Sequence, residues 1–354
     1  MPEISGLLET AREGTLEPSH LLAQVETLMQ ESFNSLRPEP LAQWSREHLQ
    51  AGGRRLRARM ALEVGQILNV ETQWATSWAA ACELLHNATL VLDDIQDQDC
   101  QRRGQPTLWQ QHGLGPALNV GELLLMWPHL MVRQMHIPAE QQVHLLGKIA
   151  ETSVALVCGQ TEEHLLQEQL GREDLWQLYL EAISGKTSPL FELPVWGSVF
   201  LAKGDPVLAQ RWAQPFRQFG VVFQLADDLA DALGKKQGRS RGADLCEGKV
   251  SALIPLYLKE RPDQLSAIKE LLRSERSEVS AQVVEYWLQE LQAEGVFDEL
   301  KARIIYWLQA FTQSPLRQEN PEIFNMGVKY LKLVLSGLGW SQEEQGDFYA
   351  VLSK

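Results

Sequence analysis

The sequence is poor in cysteine. Its four, Cys82, Cys100, Cys158 and Cys246, lie far apart, and none forms a CxxC pair. That spacing argues against a disulfide framework and against a cysteine zinc site. Basic runs are missing as well: 32 Lys and Arg stand against 46 Asp and Glu, a net charge of −14. Binding to a phosphate backbone needs clustered Lys and Arg, so no nucleic acid partner is expected. No apolar stretch is long enough to span a bilayer. The opening residues, MPEISGLLETAREGTLEPSH, lack the basic-then-apolar layout of a signal peptide. A cytoplasmic protein without stable membrane insertion is the expectation. Convincing strand alternation is also absent, which leaves helix as the organising element.

Helical periodicity is what the chain does have. Apolar residues recur every three or four positions in 17–33, 74–98, 141–168, 173–184, 282–294 and 297–312. Turn signals separate such segments: RPEP at 37–40, HGLGP at 112–116, AKGDP at 202–206, ERPD at 260–263 and QSPLRQENP at 313–321. The fold class is all-α. A length of 354 residues permits one large domain or two.

Two helices stand out. Segment 74–98 is apolar nearly all round apart from Glu83 and His86, and 219–231 (FGVVFQLADDLAD) has the same character. Such helices belong inside a bundle. Both run from apolar sequence into Asp-Asp-x-x-Asp, at Asp93, Asp94 and Asp97 and again at Asp227, Asp228 and Asp231. On a helix the first and last members share a face one turn apart. A single such motif is commonly a solvated acidic helix end; two copies, each entered from a buried run, point to a site. Hard divalent cations neutralise carboxylates of this kind. Magnesium takes one or two of them together with water and phosphate oxygens, so the pair suggests a clamp for a diphosphate.

A diphosphate also needs fixed positive charge. GGRRLRARM places Arg54, Arg55 and Arg57 after a glycine pair, where backbone can approach phosphate. Arg102 and Arg103 follow the first motif, Lys186 and Thr187 lie in ISGKTSPLF, and Lys249 lies in DLCEGKVSAL. His86 sits two turns before Asp93 on the same face; a site ligand and a satisfied core histidine are both open readings.

These segments resemble, in order from about residue 50 to about 312, the trans-type isoprenyl diphosphate synthases (polyprenyl synthetases). GGRRLRA resembles the family's Gly-Gly-Lys-x-x-Arg-Pro, and HNATLVLDDIQDQDCQRRG its first aspartate-rich motif. GQTEE at 159–163 is similar to Gly-Gln-x-x-Asp, and GKTSPLF to the Lys-Thr signature. FQLADDLAD resembles the second aspartate-rich motif, and GRSRGADLCEGKV the glycine and lysine stretch after it.

The resemblance implies a single all-α domain over 1–312, with helices around a deep central cavity, and a homodimer. Residues 313–354 would form a helical extension without an assigned role. It implies head-to-tail condensation of isopentenyl diphosphate with an allylic diphosphate to a linear trans-prenyl diphosphate. Asp93, Asp94, Asp97, Asp227, Asp228 and Asp231 would hold Mg2+, three ions per site in the family. Lys186 and Lys249 would act with these aspartates in catalysis. Arg102, Thr187, Gln224 and Arg239 would complete the allylic subsite, and Arg54, Arg57, His86 and Arg103 would bind isopentenyl diphosphate. Ala88 and Thr89 stand where bulky aromatics stop chains at farnesyl length; both are small, which implies geranylgeranyl or longer products. Arg54 and Arg239 replace the family's usual lysines, Ala58 a proline, Glu163 an aspartate and Leu92 a common histidine. The alternatives are a terpene-synthase-like cyclase and a non-catalytic subunit of a heteromeric synthase. An intact second DDxxD argues against the first, and six retained aspartates against the second.

Overall fold

A computed structural model of the protein describes residues 18–236, 238–338, 340, 351 and 352. Most of the opening residues read for a leader lie outside them, as does most of the chain end. The protein is all-α, and its helices form two compact units: Met1–Val154 with Leu190–Gln214, and Ala155–Pro189 with Pro215–Lys354. Among the described residues no helix is long and apolar enough to cross a membrane.

The first unit is organised by the helix Thr72–Gln96, on which Leu56–Ile67 and Leu114–Gln134 pack. Its run of alanines explains the closeness of that packing: Ala75, Ala79, Ala80, Ala81 and Ala88 are all buried. Trp78, fully buried, donates from its indole N–H to the Pro194 carbonyl at 3.2 Å and lies against Gly197, where a side chain would meet the ring. The isolated acid of this core, Glu83, faces Arg55 at 3.6 Å and accepts the Ala58 N–H at 3.3 Å. A buried carboxylate needs such partners.

The second unit is organised by Pro215–Ala232, packed by Val296–Thr312, Leu175–Lys186 and Pro321–Leu335. Phe216, Phe219, Phe311 and Phe324 join these helices, with Phe216 edge-on to Phe311 at 5.6 Å and Phe311 stacked on Phe324 at 5.5 Å. Each buried ring contributes about 1.5–3 kcal/mol. Gly327 leaves room for the Phe216 and Phe311 rings. The helix Pro321–Leu335 is therefore packed on the helix that carries the second aspartate motif.

Two local readings need correction. HGLGP is a turn only at Gly113, because Leu114–Gln134 starts at once and takes Pro116 into its first turn, where a missing N–H costs nothing. The chain also holds a strand pair, Gln101–Arg102 against Gln105–Pro106. Arg103 (φ 56) and Gly104 (φ 76) form its tight two-residue turn. Strands of two residues are too short to show alternation in sequence.

Gly197→Ala is expected to lower stability by about 1–3 kcal/mol through overpacking against Trp78. Urea unfolding reads this directly, and an unchanged midpoint would show that the ring is not wedged there.

Candidate active site

The first carboxylate set closes the helix Thr72–Gln96. Asp97 caps it, donating its N–H to the Asp93 carbonyl at 2.8 Å, and Asp99 N–H reaches the Asp94 carbonyl at 2.9 Å. Asp93 and Asp97 are half-buried, whereas Asp94 is buried. Arg102 donates to one Asp94 oxygen from Nε at 2.7 Å and lies within 2.6 Å of it through Nη2. Burial lifts the Asp94 carboxyl to about 6, with Arg102 pulling the other way.

The ribbon explains why two arginines and a glycine follow these aspartates. Its tight turn sends Arg102 back to Asp94, while Arg103 donates to the Gly52 carbonyl. The Arg103 guanidinium occupies the space that a Gly53 side chain would fill; a Cβ there would come within 2.7 Å of Nη2. The two glycines and Arg103, some fifty residues apart, form one contact.

Cationic side chains gather around it. Arg57 is buried with its guanidinium 4.3 Å above the Phe191 ring. His86 is held well below the ordinary histidine range, by burial and then by the charges of Arg57, Arg103, Arg102 and Arg55. Arg55, in left-handed backbone (φ 49) at the start of Leu56–Ile67, points inward to Glu83 and to Glu26. Arg54 is exposed instead. The structure thus brings Arg57, His86, Arg102 and Arg103 together and leaves Arg54 on the outside.

Sequence reasoning missed His48 and Asn87. His48 lies beside Asn87, and its imidazole is pushed down to about 3 by burial and by Arg102, Arg103 and Arg55. Asn87 adjoins His86 in sequence, and His48 precedes Gly52 by four residues. Both hints were visible, but neither has metal-ligand spacing.

In the second set the middle aspartate is again buried, and Asp231 with it. Asp228 accepts from Tyr179 Oη at 2.7 Å, Ala252 N–H at 2.7 Å and Gln224 Nε2 at 2.9 Å. Thr187 Oγ1 donates to Gln224 Oε1 at 3.0 Å, which links the Lys-Thr signature to the motif. Tyr179 lies seven residues before Lys186, two helical turns along Leu175–Lys186, a signal that the sequence did carry. Asp231 is buried and accepts the Asp244 N–H at 3.2 Å. Asp227 reaches solvent, with 42% of its side chain exposed. Lys236 stands among Asp227, Asp244 and Asp231, at 2.8, 3.2 and 3.8 Å. Burial and the neighbouring Asp244 hold Asp228 and Asp231 above the usual carboxylate range. Asp244 itself is held low: burial opposes this, but Lys236, Lys249 and Arg239 outweigh it.

The remaining predicted cations are paired with carboxylates. Lys186 pairs with Glu163, and Arg239 and Lys249 both pair with Glu247. Gly159 explains the GQTEE motif: a Cβ on Gly185 would come within 2.8 Å of the Gly159 Cα. Only two glycines let those helices touch there and set Lys186 beside Glu163. Among the described residues, no group of three or more His, Cys, Asp or Glu side chains is gathered to hold a metal ion. The donor chemistry nevertheless fits magnesium, since Asp93, Asp97 and Asp227 offer hard oxygens with access to water.

An all-helical chain in which two DDxxD helices each carry a buried middle carboxylate, the first held by Arg102 and the second set neighboured by Lys236, has the design of the isoprenoid-synthase class. The chain belongs to the polyprenyl synthetase family, whose profile matches residues 38–291, and is a prenyltransferase. It is similar to a geranylgeranyl pyrophosphate synthase of Geoglobus acetivorans, with 32% identity over 234 residues, 65% of this chain and 72% of that one. A solved structure of the geranylgeranyl pyrophosphate synthetase from that archaeon superposes with a TM-score of 0.75 at 25% identity, covering 90% of this chain and 98% of the other. A geranylgeranyl pyrophosphate synthase from Corynebacterium glutamicum, solved with isoprenyl diphosphate and magnesium, shares the fold: TM-score 0.74, 18% identity, 95% and 98% covered.

The depressed His48 fixes a sign. Its folded-state value lies below the ordinary 6.5, so its contribution to stability is present above pH 6.5 and is lost as pH falls toward 3. Between pH 7.5 and 5 the ligand-free protein is expected to lose more thermal stability than His48→Gln, which cannot titrate. Parallel melting profiles would show that His48 takes up its proton normally.

Proposed function

We propose that the protein condenses isopentenyl diphosphate head-to-tail with an allylic diphosphate, giving a linear trans-prenyl diphosphate of geranylgeranyl length or longer. The observation that carries this reading is the repeated division of labour within the two aspartate motifs. In each, the middle aspartate is buried and fastened by protein donors, and an outer one reaches solvent or half-exposure. A motif that served packing alone would have no reason to repeat that pattern.

Asp93, Asp97 and Asp227 are accordingly the ligands for Mg2+, three ions per site on the family pattern. Asp94 and Asp228, read from sequence as ligands, become fasteners in this reading: Arg102 holds one Asp94 oxygen from two of its nitrogens, and Tyr179, Ala252 and Gln224 hold both oxygens of Asp228. Asp231 joins them, being buried against Asp244 and Lys236. Bound magnesium supplies positive charge where the allylic diphosphate departs. Lys186, Arg239 and Lys249 add fixed charge to that leaving group, with Arg102, Thr187 and Gln224 orienting it. Arg57, Arg103 and neutral His86 bind isopentenyl diphosphate. Exposed Arg54 contributes long-range attraction at most. The chain's apolar helices keep water from the allylic cation, and the proton lost at the end passes to the released diphosphate. A cytoplasmic homodimer is part of the same reading, supported by Leu114 and Met126, which are 55% and 58% exposed on one helix.

The test is a product assay: purified protein, Mg2+, isopentenyl diphosphate, and dimethylallyl, geranyl, farnesyl or geranylgeranyl diphosphate, with products identified by mass spectrometry. Linear chains longer than the starter are expected. Loss of diphosphate from the allylic substrate with isopentenyl diphosphate unused would instead establish a cyclase. Inactivity with every starter would favour the non-catalytic subunit.

Chain length is expected to respond at Thr89, which is half-buried. Thr89→Phe should shorten the products while the fold is kept. Ala88 is fully buried, so Ala88→Phe should shorten them at an added cost of about 1–3 kcal/mol in stability. Product spectra unchanged in both variants would remove these positions from the chain-length floor.

A further inference from the structure

Lys236 has no place in the reaction described above, yet its ammonium is among the most heavily engaged charges of the second unit. The chain puts it there by the way the helix Pro215–Ala232 ends. Gly234 takes a left-handed conformation (φ 68), its N–H bonds the Asp231 carbonyl at 3.0 Å, and Lys235 N–H bonds the Ala230 carbonyl at 2.8 Å. This glycine-dependent stop folds the next residue back along the helix. Lys236 Nζ then lies 2.8 Å from Asp227, 3.2 Å from Asp244 and 3.8 Å from Asp231, with 13% of its side chain exposed. Asp228 adds its charge from further off.

We propose that Lys236 is a built-in counter-ion of the second carboxylate set, which it holds assembled without metal and from which a divalent cation must displace it at Asp227. The inference rests on the magnesium reading given above. Its physical basis is that one Asp227 oxygen cannot serve an ammonium at 2.8 Å and a doubly charged ion together, because two cations that close repel strongly. Metal entry is thus an exchange, and it moves the turn at Gly234.

The experiment measures binding of Mn2+ alone, without substrate, by counting free ion with electron paramagnetic resonance. The full-length protein carries Asp93→Asn and Asp97→Asn, so that the ion counted belongs to the second set. Adding Lys236→Met is expected to tighten Mn2+ binding about tenfold, the effect of removing one close, partly screened charge. Lys236→Arg, which keeps the charge, should bind as the parent does. The metal-free melting temperature should fall in Lys236→Met, and Mn2+ should raise it by more than in the parent. If Lys236→Met does not fold, Lys236→Gln takes its place. Equal affinities in folded parent and variant would overturn the exchange and leave the magnesium reading standing. Absence of Mn2+ binding even with Asp93 and Asp97 intact would overturn both.

Discussion

A carboxylate taken out of water must meet a donor or a cation, and that requirement shapes both aspartate helices. Each runs as buried apolar sequence and then delivers three acids at its end. The middle acid is too buried to remain merely hydrated. Asp94 answers with Arg102, and Asp228 with Tyr179, Gln224 and the Ala252 N–H. Once those are fastened, the outer acids are held at fixed positions on a rigid helix. In the proposed function, precision at the metal ligands would be inherited from these fastened charges.

The same constraint explains the state of the cations around the second motif. Lys186 rests on Glu163, Arg239 and Lys249 on Glu247, and Lys236 on three aspartates. A protein of net charge −14 has acids to spare for this. Cations paired in this way are oriented, so that under the proposed function an incoming diphosphate would compete with one carboxylate rather than recruit a mobile side chain from water. The cations beside the first motif are different. There His48 and His86, half-buried among arginines, are held below the ordinary histidine range by desolvation and by those charges, so that they add hydrogen-bonding capacity without adding repulsion.

Much of this was legible in the sequence because it depends on local spacing. The helices of 74–98, 282–294 and 297–312 lie within two residues of the observed Thr72–Gln96, Ala281–Ala293 and Val296–Thr312. The two motifs and their glycine-flanked cations could be found by counting along one helix face. What could not be read were contacts made across the chain. Nothing local says that Arg55 rather than Arg54 turns inward; that follows from a left-handed residue opening the helix. Nothing local marks Ala252 as a partner of Asp228, and nothing local sets Lys236 apart from the Lys235 beside it.

The glycines show how the local and distant parts connect. Gly53 has no side chain, so the Arg103 guanidinium can lie on the backbone there; Gly159 and Gly185 let two helices touch and set Lys186 beside Glu163. In each case the absent Cβ leaves a space that a functional cation, or the backbone carrying it, fills. Gly234 plays the matching role through its backbone angle, turning Lys236 back onto the aspartates. A glycine in these motifs thus serves the charge beside it more than the turn it sits in. Replacing Gly53 by alanine would press on the Arg103 guanidinium, whereas replacing Gly185 would force apart the helices that set Lys186 beside Glu163. In SGKTS the spacing between glycine and cation is the imprint of that geometry; Gly53 of GGRRLR instead serves an arginine far along the chain.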